Sequence, residues 1–222
     1  MSGPTPIRDV LPLLEELEAY DTHSATHTWR VTLYARAVAE AAGIDMDRIA
    51  RISVGASLHD VGKLDVPHAI LTKPGRLTEA EFKEIKKHPV RGYDRLRAMG
   101  VTDDVVLDLV RSHHERLDGT GYPDGLSGDE IPRPAKYFAV VDTFDALTSV
   151  RPYRREIGPD AAERALTIIR EGAGSHFDPE AVAFFEEVYR SGVVEWVLHY
   201  YNDDRDVGAF DLGKSLQMDV GS

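Results

Sequence analysis

The chain has 222 residues, 42% hydrophobic and 29% charged, which fits one soluble globular domain with a sizeable core and at most a small appendage. A formal net charge of -12 argues against a broad surface for a nucleic-acid polymer, which needs a basic stripe, and no apolar run is long enough to span a bilayer. There is no cysteine, so disulfides and thiolate ligands are excluded; the opening residues lack a secretory pattern, and the expected compartment is the cytoplasm.

Helical periodicity predicts an all-α chain. A first amphipathic helix is predicted over about Ile7 to Tyr20, and a second from about Ser24 to Ala42, stopping at Gly43. The second carries the stripe His27, Val31, Tyr34, Val38. A third runs from about Asp45, its predicted cap, to Val61, with Gly62 past its end. The segment from Lys63 to Leu77 contains Pro67, Pro74 and Gly75 and reads mostly as loop. Thr78 and Glu81 form a capping-box pattern that starts a fourth helix, which Pro89 should kink or break just after His88. A fifth spans about Asp103 to His114. The following stretch, ERLDGTGYPDGLSGDEIPRP, holds four glycines and three prolines, and an irregular segment of that length is usually functional. A sixth, nearly all-apolar helix from about Ala135 to Thr148 should be central. Two more are predicted at about Pro159 to Glu171 and Pro179 to Arg190, and the first part of the tail, with Trp196, Tyr200 and Tyr201, should pack.

The chemistry lies in polar residues on apolar faces. His27 sits on the stripe of its helix. His59 and Asp60 are adjacent at a helix end, where a carboxylate opposes the helix dipole. His88 aligns with Ile85, Gly92 and Leu96, and His113 and His114 can both reach inward from the fifth helix. Asp142 lies in the run YFAVVDTF, where an unpaired carboxylate is costly. Taken singly, each has an ordinary explanation: a hydrogen-bonded core histidine, a solvated helix end, a cationic C-terminus. Taken together they would need separate partners for seven groups, and one pair of divalent cations satisfies them all. Imidazole with carboxylate suits zinc, iron or manganese.

Several strings then add a resemblance. HDVGK at 59–63 looks like the HD signature of metal-dependent phosphohydrolases. HHERLDGTGYP at 113–123 resembles the long motif of the HD-GYP subfamily, VDTFDALTS at 141–149 and RPYR at 151–154 resemble its downstream block, and GAGSHFDP at 172–179 its end. The likeness covers about Asp21 to Val188. It implies an all-α HD-domain bundle with additional C-terminal GYP-type helices, and a division into an N-terminal helix or linker (1–20), the HD-GYP domain (21–191) and a C-terminal extension (192–222). It implies hydrolysis of cyclic di-GMP, with pGpG or GMP as the product, at a centre of two or three iron or manganese ions. Carried over, His27, His59, Asp60 and Asp142 would hold one ion, and His88, His113 and His114 the second, with Asp60 bridging. Asp60 and Lys63 would be catalytic, Lys63 on the scissile phosphate, with Arg151 and Arg154 gripping substrate unless they form surface salt bridges.

Two positions depart from the pattern. His23 stands where some relatives carry a carboxylate ligand for a third ion, and is either such a ligand or a loop residue facing water. Val150 replaces an acid usual before RPYR. His68 reads as a surface residue, His176 as a structural one near the helix start at Pro179, and His199 lies in the tail. Two alternatives stay open: a phosphohydrolase acting on another cyclic dinucleotide or nucleotide, or a non-catalytic module. In the latter, the Gly121-Tyr122-Pro123 loop would dock a partner such as a diguanylate cyclase or regulator. Homodimerisation is a further expectation.

Overall fold

A computed structural model describes residues 10–20, 24–149, 160–202 and 208–218. They form twelve α-helices, and no strand occurs among them. The helices are α1 (Leu11–Tyr20), α2 (Ser24–Ala41), α3 (Met46–Leu58), α4 (His68–Leu71), α5 (Glu79–Ile85), α6 (His88–Ala98), α7 (Asp104–Ser112), α8 (Arg133–Thr148), α9 (Ala161–Glu171), α10 (Pro179–Arg190), α11 (Val193–Tyr200) and α12 (Leu212–Gln217). Short 3-10 turns occupy Val61–Asp65 and Gly128–Glu130.

Local chemistry sets most boundaries. Asp45 caps α3 by accepting from the Arg48 amide at 3.0 Å, and Thr78 with Glu81 closes a reciprocal capping box on α5. Pro89 breaks the predicted fourth helix in two: α5 ends at Ile85, and α6 restarts with proline in its first turn, where a missing N–H costs nothing. The same tolerance explains why α8 begins at Arg133, ahead of the predicted Ala135, with Pro134 in its first turn. Two predicted boundaries are corrected. The third helix stops at Leu58 instead of Val61, and the segment read as loop after it contains a 3-10 turn and α4, the latter entered through Pro67 at its cap.

Helix α2 lies at the centre and packs against α3, α8, α10 and α11. Its buried residues face every direction, from Trp29 and Leu33 to Tyr34 and Val38, as a helix surrounded by protein requires. α3 packs on α7, and the 3-10 turn at Val61–Asp65 packs on α6. That last approach depends on glycine: a Cβ on Gly62 would lie 2.0 Å from the His88 carbonyl oxygen. The first and last described helices join the same core through Leu13 and Leu14 of α1, Val194 and Val197 of α11, and Phe210 and Leu212 near α12.

Candidate metal centre

Five elements converge on one polar pocket within this apolar core. α2 supplies His27, the end of α3 supplies His59 and Asp60, the start of α6 supplies His88, the end of α7 supplies His113 and His114, and α8 supplies Asp142. Each helix end serves because it can aim a side chain inward while the helix body is packed.

Four of the five imidazoles are oriented by bonds at Nδ1. His59 donates to the Ala56 carbonyl at 2.8 Å, His88 to Ile85 at 2.9 Å and His113 to Val110 at 2.9 Å. His27 donates to the Asp145 carboxylate at 2.8 Å. With the proton held on Nδ1, each Nε2 carries a lone pair. These lone pairs point at one another: His27 Nε2 is 3.3 Å from His59 Nε2, and His88 Nε2 is 3.1 Å from His113 Nε2. Two acceptors cannot bond each other. Nitrogens on a common ion, each about 2.0–2.1 Å from it, lie roughly 3.0–3.4 Å apart, so the spacing fits a shared cation.

The donors fall into contiguous sets whose ligand atoms lie within 4.8 Å of one another: His27 with His59 and Asp142; His88 with His113 and His114; and His59 with Asp60 and His113 between them. Asp60 faces both sides. Its Oδ1 is 3.3 Å from His88 Nε2, while its Oδ2 is 3.2 Å from His59 Nε2 and 3.8 Å from His27 Nε2. Asp142 Oδ1 is 3.9 Å from His59 Nε2. The sets offer nitrogen and oxygen donors with no sulfur, a composition compatible with divalent metal binding.

Electrostatics differ across the pocket. Burial alone would raise the Asp60 pKa, but His59, Lys63 and His88 hold it well below the usual carboxylate range. Burial opposes charge on His59, yet Asp60 and Asp142 more than offset it and raise its pKa. On the far side burial dominates, pushing His88 down to about 3 and His113 to about 4; burial, with its two imidazole neighbours, also holds His114 well below the usual range. Lys63 Nζ rests on Asp60 Oδ2 at 2.5 Å.

The glycine-rich stretch after α7 folds back over this pocket. The Tyr122 ring stacks on His114 with centroids 4.7 Å apart, and its amide donates to the His114 carbonyl. The Tyr122–Pro123 peptide is cis. Gly121 is sterically required, because a Cβ there would sit 2.4 Å from the Arg116 nitrogen.

The seven residues predicted as ligands thus occupy one pocket, with Lys63 beside them. His23, Val150, Arg151 and Arg154 lie outside the described residues. His68, His176 and His199 are exposed. Two participants escaped the sequence reading. Buried Glu115 accepts the amides of Asp124, Gly125 and Leu126 at 2.7, 3.1 and 3.1 Å and so ties down the loop. Asp145, fully buried, orients His27. Its signal was available: it follows Asp142 by one helical turn in an apolar helix.

Residues 12–181 match the family model described as HD domain. The chain belongs to the HD domain family. It is 40% identical, over 77% of its length and 44% of the relative's, to the cyclic di-GMP phosphodiesterase response regulator RpfG of Xanthomonas campestris. It is 39% identical, over 75% of its length and 35% of the relative's, to the 3'3'-cGAMP-specific phosphodiesterase 3 of Vibrio cholerae. The chain therefore spans less than half the length of either relative. An HDG"Y"P protein from Bdellovibrio bacteriovorus shares the fold, with a TM-score of 0.60 and 21% identity over 75% of this chain and 52% of that one. The HD-GYP resemblance and the all-α HD-domain fold stand. Among the described residues, no helix of this HD-domain chain is long and apolar enough to cross a membrane.

Proposed function

We propose that this HD-domain chain is a metal-dependent phosphodiesterase that hydrolyses cyclic di-GMP to pGpG, and onward to GMP, in the cytoplasm. The observation that carries the reading is Asp60, one oxygen turned toward each histidine set at bridging distance. His27, His59, Asp60 and Asp142 would hold one ion and His88, His113, His114 and Asp60 a second, with iron or manganese the expected metals and His23 the candidate ligand for a third.

Two bound divalent ions supply a water acidified to near neutrality and positive charge for the phosphoryl oxygens. The protein's own groups do the rest. Lys63, held on Asp60, places an ammonium where charge grows on a phosphoryl oxygen in the transition state. Asp60 keeps both histidine sets in register. Tyr122 walls the His114 side, and Arg151 and Arg154 would grip the dinucleotide. No side-chain nucleophile is required. The exposed Asp124–Gly125 turn beside Tyr122 and Pro123 is the surface offered to a cyclase or regulator.

A second reading has support of its own: the 39%-identical relative is named for cyclic GMP-AMP, so the mixed dinucleotide competes as substrate. The test is a panel of cyclic di-GMP, 3'3'-cyclic GMP-AMP and nucleotide monoesters incubated with protein of measured manganese or iron content, with products resolved by chromatography. Formation of pGpG is expected. Metal-replete protein that cleaves nothing overturns the proposal, and cleavage of the mixed dinucleotide alone favours the second reading.

A further inference from the structure

The matched family region ends at residue 181, yet the chain continues into α11 and α12, and both are gripped by arginines of α2. Arg36 donates to the Ser215 carbonyl at 2.9 Å. Arg30, one turn from His27, donates to the carbonyl of Tyr201, the residue that closes α11, at 2.8 Å. The ring of Trp29, between His27 and Arg30 in sequence, is stacked by Tyr201 with centroids 5.2 Å apart and met edge-on by Phe210 at 4.9 Å. The C-terminal segment therefore docks on the same helical turn that carries a candidate ligand.

Arg30 is 2% exposed and leads inward from this contact. Its Nε bonds Asp145 Oδ1, and its Nη2 reaches Asp145 Oδ2 at 3.2 Å and Ser149 Oγ at 2.7 Å. Ser149 Oγ returns a bond to Asp145 Oδ2 at 3.0 Å. The oxygen that accepts from His27 Nδ1 is this same Oδ2. A carboxylate behind a ligating imidazole sets its tautomer, its ring orientation and its basicity. Here that carboxylate is aimed by an arginine whose Nη1 also bonds the extension.

We infer that the C-terminal extension, in its described residues 192–202 and 208–218, is a working part of the metal centre: its Tyr201 carbonyl, Arg30 and Asp145 form a buried relay that fixes His27 for metal binding. Asp145 and Arg30 are positioning residues in this account, and docking of the extension and occupancy of the His27 set are linked equilibria. By reciprocity, metal should tighten the extension as much as the extension tightens metal. The inference rests on the proposal that His27 ligates an ion.

The test uses the full chain, Mn2+ alone at fixed free concentrations set by a chelator, and bound metal read by elemental analysis. Asp145→Asn should weaken one bound ion about 10–100-fold, and Arg30→Lys should shift the same ion. Phe210→Ala loosens the extension without touching the relay, and should weaken that ion about fivefold or more. In the wild type, Mn2+ should slow amide exchange across α11, which offers no ligand itself, and Phe210→Ala should blunt that slowing. A folded Phe210→Ala protein with wild-type Mn2+ affinity, together with wild-type α11 exchange indifferent to Mn2+, overturns the inference even if Asp145→Asn does not fold. A wild type that binds no Mn2+ overturns the ligand assignment itself, and the inference with it.

Discussion

In the His88 half of the pocket, His88 and His113 each bond a carbonyl three residues earlier, Ile85 and Val110. In the opposite half His59 does the same with Ala56, but His27 reaches an aspartate 118 residues away in sequence. The backbone-oriented ligands arrive with their helices: once α6 and α7 form and pack, the rings have their direction. His27 acquires its direction only when α2, α8 and α11 are assembled together. The charge environments follow the same division. The carboxylates gather around His59 and raise its pKa, whereas burial leaves His88 near 3 and His113 near 4, committed to the neutral form a ligand needs.

The largest expected effect comes from the residue common to both halves. Asp60→Asn keeps the shape but removes the charge that serves two histidine sets. Losing the several kcal/mol that bound cations contribute to a phosphoryl transition state means a drop in turnover of about a thousandfold or more. His27→Ala and His88→Ala should each lower bound metal by one ion, from opposite halves, whereas Asp60→Asn should weaken both. Elemental analysis of the three proteins decides this; equal loss from all three would mean the halves are not separate sites.

Gly62→Ala sharpens the division through packing. The new Cβ would meet the His88 carbonyl at 2.0 Å and the Gly92 nitrogen at 2.5 Å, both rigid backbone. The 3-10 turn and the start of α6 must move apart, at a cost of about 3 kcal/mol, or a fall in melting temperature of roughly 6–12 °C. The displaced ligand is His88, so the ion in its half should be lost while the His27 half keeps its own. A melting temperature within a degree of wild type would contradict the close approach.

Glu115→Gln addresses the loop that covers the His88 half. It exchanges a charged acceptor of three amides for a neutral one, weakening the loop by about 1–3 kcal/mol. Tyr122 then loses its fixed place over His114. The expected result is a higher KM for the dinucleotide with metal content and kcat little changed; a change in metal content with constant KM would place Glu115 among the supports of the ligands instead.

The contrast also explains what was legible in the sequence. Caps at Asp45 and Thr78, the break at Pro89 and the ligands on apolar stripes are local patterns, written within a few residues. The relay through Asp145 is not. Arg30 and Asp145 are 115 residues apart, and Arg30's third partner is a main-chain oxygen that any residue at position 201 would present. The 3-10 turn at Val61–Asp65 was missed for a similar reason: it depends on Gly62 and Gly92 letting two backbones meet, a condition set by tertiary packing. Arg151 and Arg154, read by resemblance alone, lie outside the described residues.

The smallest effect tests whether backbone orientation is as self-sufficient as argued. Glu81 anchors the start of α5, whose last residue, Ile85, orients His88. Its carboxylate accepts from Lys73 Nζ at 2.8 and 2.6 Å and from the Thr78 amide at 2.7 Å, contacts that lower its pKa to about 2. A folded-state pKa below the ordinary 4.5 means that its stabilisation is complete above that value and is lost as pH falls toward 2. In metal-free protein, amide exchange in α5, corrected for intrinsic rates, should accelerate over that window; in Glu81→Gln it should be faster above pH 4.5 and lack the step. At neutral pH the variant should bind metal as the wild type does, because the Ile85 carbonyl is placed by the packing at the start of α6 rather than by the far end of α5. Loss of the His88-side ion in Glu81→Gln would show that this half, too, leans on a distant side chain, and the distinction between the two halves would fall.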